Sequence, residues 1–553
     1  MAETKHKGWS LENILLVVII LAFLVYCAIF LYQSLFSING TTYSALFDDA
    51  MISMTYARNF AQGNGLVWNA GGERVEGYTN PLWVIFMAGF HLLSIPENWV
   101  SLPIQISGAL FLLGSVLFLR KIALNVSGQQ RVALLAVFLT AFYYPLVNWS
   151  LIGLEVSILL LLINCSLLLA LQILDTGRFS HWLYILMGLA TLVRMDAAVT
   201  YGVIWAFLMI FDKKNRRQHF WEGLAILMAF VAAQSIARKL YYGEWLPNTY
   251  YLKMEGWPLW SRIRRGWAVF MEFIKGFFWP LFLVPFTVLL FRRDKKTVFL
   301  LLIFLAQIAY SIYVGGDAWE HRGGSNRFIS LGMPVFLMLF SMACYEWHDW
   351  TIKKSVEWFP KAKKMLPKLA SGILAVFILC SMLMWNRLIN NGNPISNLKH
   401  PSENSLRYFL LLEPTVYKSG SQRETEDALL IKSMTDDEAT IATVAAGNIC
   451  YFSHRECIDL FGKSDAVVAH GGIQVPLDAD WQDLRPGHVK FNYEYSIGEL
   501  QPDVVVEIMK STQDQAAPYL ANYVRATVNG HLMYFKMDSP HVRWDVLEEV
   551  RED

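Results

Sequence analysis

Eleven apolar runs punctuate this chain, and nothing else in its 553 residues limits the fold as strongly. They lie near 13–33, 103–120, 131–149, 156–174, 183–195, 197–211, 221–240, 269–291, 297–314, 328–345 and 369–386. The longer ones approach the roughly 20 residues that a helix needs to cross a bilayer. Charged residues make up only 17% of the chain and hydrophobic ones 55%, whereas a soluble domain carries about 25% charge. The expected fold is therefore an α-helical polytopic membrane protein with about eleven transmembrane helices over 1–387. The run at 13–33 is too long for a signal-peptide core and has no small-residue cleavage site after it, so it reads as a retained first helix. The pair of runs around Arg194-Met195-Asp196 reads either as two tight spans or as one helix with a buried polar break.

Basic residues set the orientation. "DKKNRRQ" at 212–218, "RRDKK" at 292–296, the Lys-rich stretch 353–368, the 120–131 link and the N-terminus are expected in the cytoplasm. Alternation then puts 34–102, 150–155, 241–268, 315–327 and everything from about 388 outside. The apolar segment 81–94 is too short to span and is taken as re-entrant or interfacial. Residues 388–553 change character, with polar sequence and strand-like runs such as "ATIATVAAG" and "DVVVEIMK". They are expected to form a periplasmic soluble domain of α/β or α+β type. Cys450 and Cys457 lie close together there, either as a disulfide favoured by an oxidising compartment or as two free thiols. Cys27, Cys165, Cys344 and Cys380 fall in apolar runs and read as small buried hydrophobes, and no cysteine spacing suggests a metal site. A net charge of +1 argues against nucleic acid as a partner.

The unusual polar clusters all fall on one expected side, whereas scattered structural polar groups would fall on both. The first external loop, 34–102, carries Asp48-Asp49, then Arg58, Glu76, Tyr78 and Asn80. An acidic residue at a helix start caps it, but capping requires one carboxylate; two adjacent ones suit acid/base work or cation binding. Glu155 opens an apolar helix, where it either faces headgroups or lines a site. Arg194 and Asp196 are ionisable groups within an apolar stretch and read as a structural pair or as functional. In "YYGEWLPNTYYLKMEG", Asn248, Tyr250 and Lys253 belong either to an interfacial aromatic belt or to a ligand site. "GGDAWEHRGGSNRF" crowds Asp317, Trp319, Glu320, His321, Arg322 and Arg327 into one glycine-rich loop. Arg327 there either binds an anion through its planar fork or pairs with Asp317 or Glu320. His470 and His488, in the C-terminal region, are candidates for acceptor or inter-domain contacts. These groups amount to a cavity on the outer face lined by carboxylates, cations and rings.

Taken in order, Asp48-Asp49, "YARNFAQGNGLVWN", "GERVEGYTNPLW", "YGEWLPNTYYLK", "GGDAW" with "NRF", and "RPGHVK" resemble the multi-spanning glycosyltransferases of the C-type (GT-C) fold. Within them the motifs are most similar to the terminal arabinofuranosyltransferases of mycobacterial and corynebacterial cell walls, and to related bacterial enzymes that decorate pilins. The resemblance implies an inverting transfer of a sugar, with arabinofuranose as first expectation, from a polyprenyl-phosphate donor to a glycan or pilin-like protein acceptor. The setting it implies is the periplasmic face of a bacterial inner membrane. Asp48 is the implied base, with Asp49 supporting it or taking its place. Arg58, Glu76, Tyr78, Asn80, Glu155, Arg194, Asn248, Tyr250, Lys253, Asp317, Trp319, His321, Arg322 and Arg327 are the implied donor-site residues. A divalent cation is compatible with the acidic pair, but no dense ligand set demands one. The alternatives are a transferase of the same fold moving another sugar onto lipopolysaccharide or a pilin, a lipid-linked-sugar transporter or flippase, and a non-catalytic scaffold. Transporters usually carry paired halves, and no internal repeat is visible here.

The orientation is open to direct test. A reporter that works only outside the cytoplasm, fused after the last residue, is expected to be active. Activity of a cytoplasmic reporter alone at that position would instead make 81–94 a full span.

Overall fold

The computed structural model describes residues 10–319, 324–386 and 406–552. Its first part is a helical assembly: α1 (Leu11–Ser34), α2 (Asp48–Ala61), α3 (Pro81–His91), α4 (Ser101–Ser127), α5 (Gln130–Ala141), α6 (Tyr144–Leu151), α7 (Val156–Thr176), α8 (His181–Val193), α9 (Ala197–Phe211) and α10 (Arg216–Tyr242) come first. They are followed by α11 (Asn248–Met254), α12 (Leu259–Phe277), α13 (Trp279–Leu283), α14 (Lys295–Tyr313), α15 (Arg327–Ser330), α16 (Met333–Trp358) and α17 (Leu366–Trp385). Among the described residues, six helices are long and apolar enough to cross a bilayer, or up to eight if each of two bent pairs is one span.

The apolar runs all fall on helices, but they are not eleven straight spans. The run at 131–149, expected as one span, is α5 and α6 bent by 55°. Pro145 stands in the first turn of α6, where its missing N–H starts a new helix rather than continuing the old one. The run at 269–291 is likewise broken, by 102°. Phe278 has a φ of 67° and Pro280 follows it, so backbone and ring together force the turn. Arg194 adopts an extended conformation between α8 and α9 and separates them. Helix α3, within the troublesome 81–94 segment, has only 11 residues, fewer than a bilayer requires. The bundle core is made where α4 packs on α5 and α7, and α16 on α5. Gly108 lets α4 approach α6 closely, because a Cβ there would run into the Ser150 carbonyl.

The segment after α1 opens with a small hairpin, β1 (Phe36–Ile38) and β2 (Thr41–Tyr43), turned by Asn39-Gly40. Both turn residues have positive φ, which is the tight turn that suits the twist of paired strands.

The C-terminal region forms a mixed six-stranded sheet. Its strands are β3 (Thr440–Thr443), β4 (Glu456–Asp459), β5 (Val504–Val505), β6 (Tyr523–Val528), β7 (His531–Lys536) and β8 (Arg551–Glu552), in the order β4-β3-β5-β7-β6-β8. β3 pairs parallel with β4 (Ile441 beside Cys457) and with β5 (Ile441 beside Val504). The β5–β7, β7–β6 and β6–β8 pairs are antiparallel. The helices α18 (Lys418–Met434), α19 (Asn448–Ser453), α20 (Ala466–His470) and α21 (Trp544–Val550) accompany the sheet. The expected boundary at 387/388 lies outside the described residues.

This region is docked on the segment 34–102 that follows α1. The Asn69 side chain pairs with both backbone groups of Cys457, at 2.8 and 3.0 Å, and Ser421 Oγ donates to the Leu46 carbonyl at 3.2 Å. Cys450 and Cys457 form a disulfide with their Cα atoms 6.0 Å apart, a usual spacing for such a bond. It ties the middle of α19 to β4. Replacing both cysteines with serine is expected to destabilise this region by about 2 kcal/mol, the value for closing so short a loop. Thermal melting with and without reductant checks this: reductant should lower the wild-type midpoint and leave the double variant's unchanged.

Candidate active site

Asp48 and Asp49 are the first two residues of α2, and Phe47 before them has no capping side chain. The positive end of the helix dipole favours negative charge there. The two carboxylates turn to different partners. Asp48 Oδ1 accepts the backbone N–H groups of Gly447 (2.8 Å) and Asn448 (3.0 Å) at the start of α19. Glycine is required at 447 because a Cβ would meet the Asp48 carbonyl and carboxylate. Asp49 Oδ1 accepts from Lys463 Nζ at 2.9 Å and its Oδ2 from Arg327 Nη1 at 3.1 Å. Arg327 also forks onto Asp317 through Nε and Nη2, both at 2.6 Å. Of the two expectations for Arg327, the pair with Asp317 is therefore formed, and its remaining face reaches the acidic pair.

These partners separate the two carboxyls electrostatically. Burial, and then the adjacent Asp49 charge, push the Asp48 carboxyl up to about 7. Burial alone would raise Asp49 as well, but Lys463, Arg327 and Lys253 outweigh it and hold that group well below the usual carboxylate range. Lys253 lies on α11 with its stem against Gly487. Burial, then the Lys463 and Arg327 charges, push its ammonium down to about 8. Burial pushes the His488 imidazole down to about 4, which leaves the ring neutral at pH 7. A cavity of about 480 Å³ opens at the acidic pair. Phe47 and Trp319 wall it from the membrane part, their rings 5.0 Å apart edge to face. Lys463, His488 and Glu424 reach it from the C-terminal region.

Ser53 stands one turn beyond Asp49 on the same face of α2 and begins a second polar network. Its hydroxyl donates to Asn80 at 3.1 Å, and Asn80 donates to Glu155 Oε2 at 2.8 Å. Glu155 Oε1 accepts from Arg194 at 2.8 Å, and Arg194 forks onto Asp196 at 3.0 and 2.7 Å. The Arg194–Asp196 pair is thus formed, and Glu155 faces the protein interior rather than headgroups.

Other candidates sit away from the cavity. Arg58 pairs with Glu97 at 3.0 Å and lies over the Tyr451 ring. Glu76 is paired with Arg238, and the Tyr78 hydroxyl bonds that of Tyr242 at 2.9 Å, so both fasten the first loop to α10. Asn248 donates to the carbonyls of Gly462, Lys463 and Asp465 at 2.9 to 3.2 Å. It therefore shapes the turn that carries Lys463. Tyr250 is exposed, and His470 stacks on Tyr251 at 4.1 Å and faces Glu255. Glu320, His321 and Arg322 lie outside the described residues.

Sequence reasoning missed Lys463 and Glu424. The only local sign of Lys463 is the turn "DLFGKSD". Asp459 accepts the Phe461 and Ser464 N–H groups at 3.0 and 2.8 Å there, and Gly462 has a φ of 74°. Glu424, on α18, has no local sign at all. The donor set does not suit a divalent cation. Both Asp49 oxygens already hold cationic side chains, Lys253 adds a third positive charge, and among the described residues no three His, Cys, Asp or Glu side chains converge.

Residues 415–542 match a family model described as "Domain of unknown function (DUF8728)". A terminal beta-(1->2)-arabinofuranosyltransferase of Corynebacterium glutamicum is 25% identical over 367 residues, covering 56% of this chain. The chain spans about half, 50%, of that relative's length. The crystal structure of ArnT from Cupriavidus metallidurans in the apo state superposes with a TM-score of 0.53 at 14% identity, over 94% of this chain and 97% of that one. The archaeal oligosaccharyltransferase AglB from Archaeoglobus fulgidus, solved with an inhibitory peptide and a dolichol-phosphate, superposes with a TM-score of 0.55 at 12% identity, over 96% of this chain and 75% of that one. Helix arrangement, acidic pair and these likenesses together show that the chain has the membrane fold of the C-type glycosyltransferases.

Proposed function

We propose that this protein is an inverting glycosyltransferase that moves a sugar from a polyprenyl-phosphate donor to a hydroxyl of a glycan or protein acceptor, on the periplasmic face of a bacterial inner membrane. The observation that carries the reading is the split acidic pair: Asp48 is held by two backbone amides and has its carboxyl raised by burial, while Asp49 is bound by Lys463 and Arg327, which hold its carboxyl low. Arabinofuranose is the first donor sugar to try, because the C. glutamicum relative bears that name. Lipopolysaccharide and pilin-like proteins are the acceptors to try after cell-wall glycan.

In the proposed step the acceptor hydroxyl lies over Asp48 and gives it a proton. The oxygen forms a bond to the anomeric carbon as the bond from that carbon to phosphate breaks, and the electron pair leaves with polyprenyl phosphate. A base near its operating pH combines a deprotonated fraction with real proton affinity, and Asp48 meets both conditions. The leaving phosphate needs cations rather than an acid, and Lys463, Lys253 and Arg327 surround Asp49 on one side of the cavity. Asp49 keeps these cations together, and Asp317 fixes the Arg327 plane.

Asp48→Asn keeps the size but removes the base, so release of polyprenyl phosphate from a labelled lipid-phosphate sugar should fall roughly a hundredfold or more. Unchanged turnover in that variant would remove Asp48 from the mechanism.

The pH profile of the wild type should be a bell. Protonation of Asp48 removes the base as pH falls through about 7. Loss of the Lys253 charge weakens leaving-group stabilisation as pH rises through about 8. Lys253→Arg, charged throughout, should abolish the alkaline limb. An unchanged limb in this variant would show that Lys253 does not set it.

A further inference from the structure

The cavity continues past Asp48, away from Lys463, toward α18, whose Arg423 also lines it. Its wall there differs in chemistry from the Lys463 side. Tyr417 offers a ring 4.4 Å from that of Phe47, Gly420 leaves open backbone, and Glu424 and Glu507 present carboxyls. Glu507 lies 3.9 Å from Arg423, and both are roughly half exposed at the rim.

Glu424 is set deeper, and it is built into the same support as Asp48. Asn448 uses its backbone N–H for Asp48 Oδ1 at 3.0 Å and its side-chain Nδ2 for Glu424 Oε2 at 2.9 Å. One residue at the start of α19 therefore fixes both carboxyls. The other Glu424 oxygen has no hydrogen-bond partner among the described residues. A half-buried carboxyl with one oxygen anchored and one left open toward a cavity is placed to hold a ligand group.

We propose that Glu424 is an acceptor-binding residue. Its open oxygen holds a second hydroxyl of a neutral glycan acceptor while the attacking hydroxyl lies over Asp48. This rests on the glycosyltransferase reading and deepens it. Sugar hydroxyls supply the hydrogen bonds a carboxyl can make, and the apolar face of a sugar ring packs on Tyr417 and Phe47. Burial, and then the Asp48 charge, raise the Glu424 carboxyl well above its usual range, and glutamine keeps its size, an oxygen to accept from Asn448 and a hydrogen-bonding group toward the cavity. A glutamine should therefore stand in for it, as it could not for a base.

The experiment measures binding without turnover. An octyl arabinofuranosyl disaccharide is titrated calorimetrically into the full chain carrying Asp48→Asn, with and without a change at Glu424. Glu424→Ala should weaken binding about tenfold or more, the size of one lost hydrogen bond to a partly buried partner, while Glu424→Gln should stay within about threefold. In the otherwise wild-type chain the same order should appear in the acceptor KM, with donor affinity and melting temperature unmoved. Equal binding with and without Glu424→Ala, no binding to either, or binding only of a pilin-like peptide overturns the assignment. Failure of the transferase reading looks different: the disaccharide binds in a Glu424-dependent way, but the wild type transfers no sugar from any lipid-phosphate donor.

Discussion

Two adjacent carboxylates at the start of one short helix hold the molecule's two halves in register. Asp48 reaches the backbone amides that open α19, and Asp49 reaches Lys463, all of them in the C-terminal region. Asp49 also reaches back to Arg327, which belongs to the membrane part. Neither carboxylate could stay charged in so buried a place without such partners. The same bonds that satisfy these charges therefore dictate how the sheet region sits on the bundle. The geometry of the candidate site and the inter-domain geometry are one arrangement here, and a change to either is felt by the other.

The remaining polar groups near the bundle obey the same accounting. Ser53, Asn80, Glu155, Arg194 and Asp196 form a continuous chain in which each buried group satisfies the next. Truncating one member would leave its neighbour with an uncompensated charge or dipole, which usually costs more than the pair itself contributes. Such a network gives α2 a fixed rotation about its axis, and thereby fixes where Asp48 and Asp49 point.

Much of this was legible in the sequence. Apolar runs mark helices reliably, and an acidic pair beside a membrane surface stands out because charge is expensive there. Pro145 and Pro280 were visible too, yet hydropathy averaged over a window conceals the breaks they cause. Arg58, Glu76 and Tyr78 look like ligand groups in a one-dimensional reading because a loop is expected to be wet. The C-terminal region covers that loop, and they become its fasteners. Lys463 and Glu424 were invisible for the opposite reason. A glutamate in a polar helix has no local feature that separates it from a solvated surface, and the turn around Lys463 shows only that the chain bends there, not what its lysine meets. Only the long-range fold brings them to the cavity.

Lys463 is separated from Asp49 by 414 positions. At a synthesis rate of about 5–20 residues per second, roughly 20 to 80 s pass between the emergence of the one and of the other. Through that interval the first helices can already lie in the bilayer, while the acidic pair still lacks its amides and its lysine. A ribosome-bound chain of this protein therefore has nearly all of its membrane part but no finished site. The acidic pair gains its amides and its lysine only when the last third of the polypeptide has been made and has folded onto the first part.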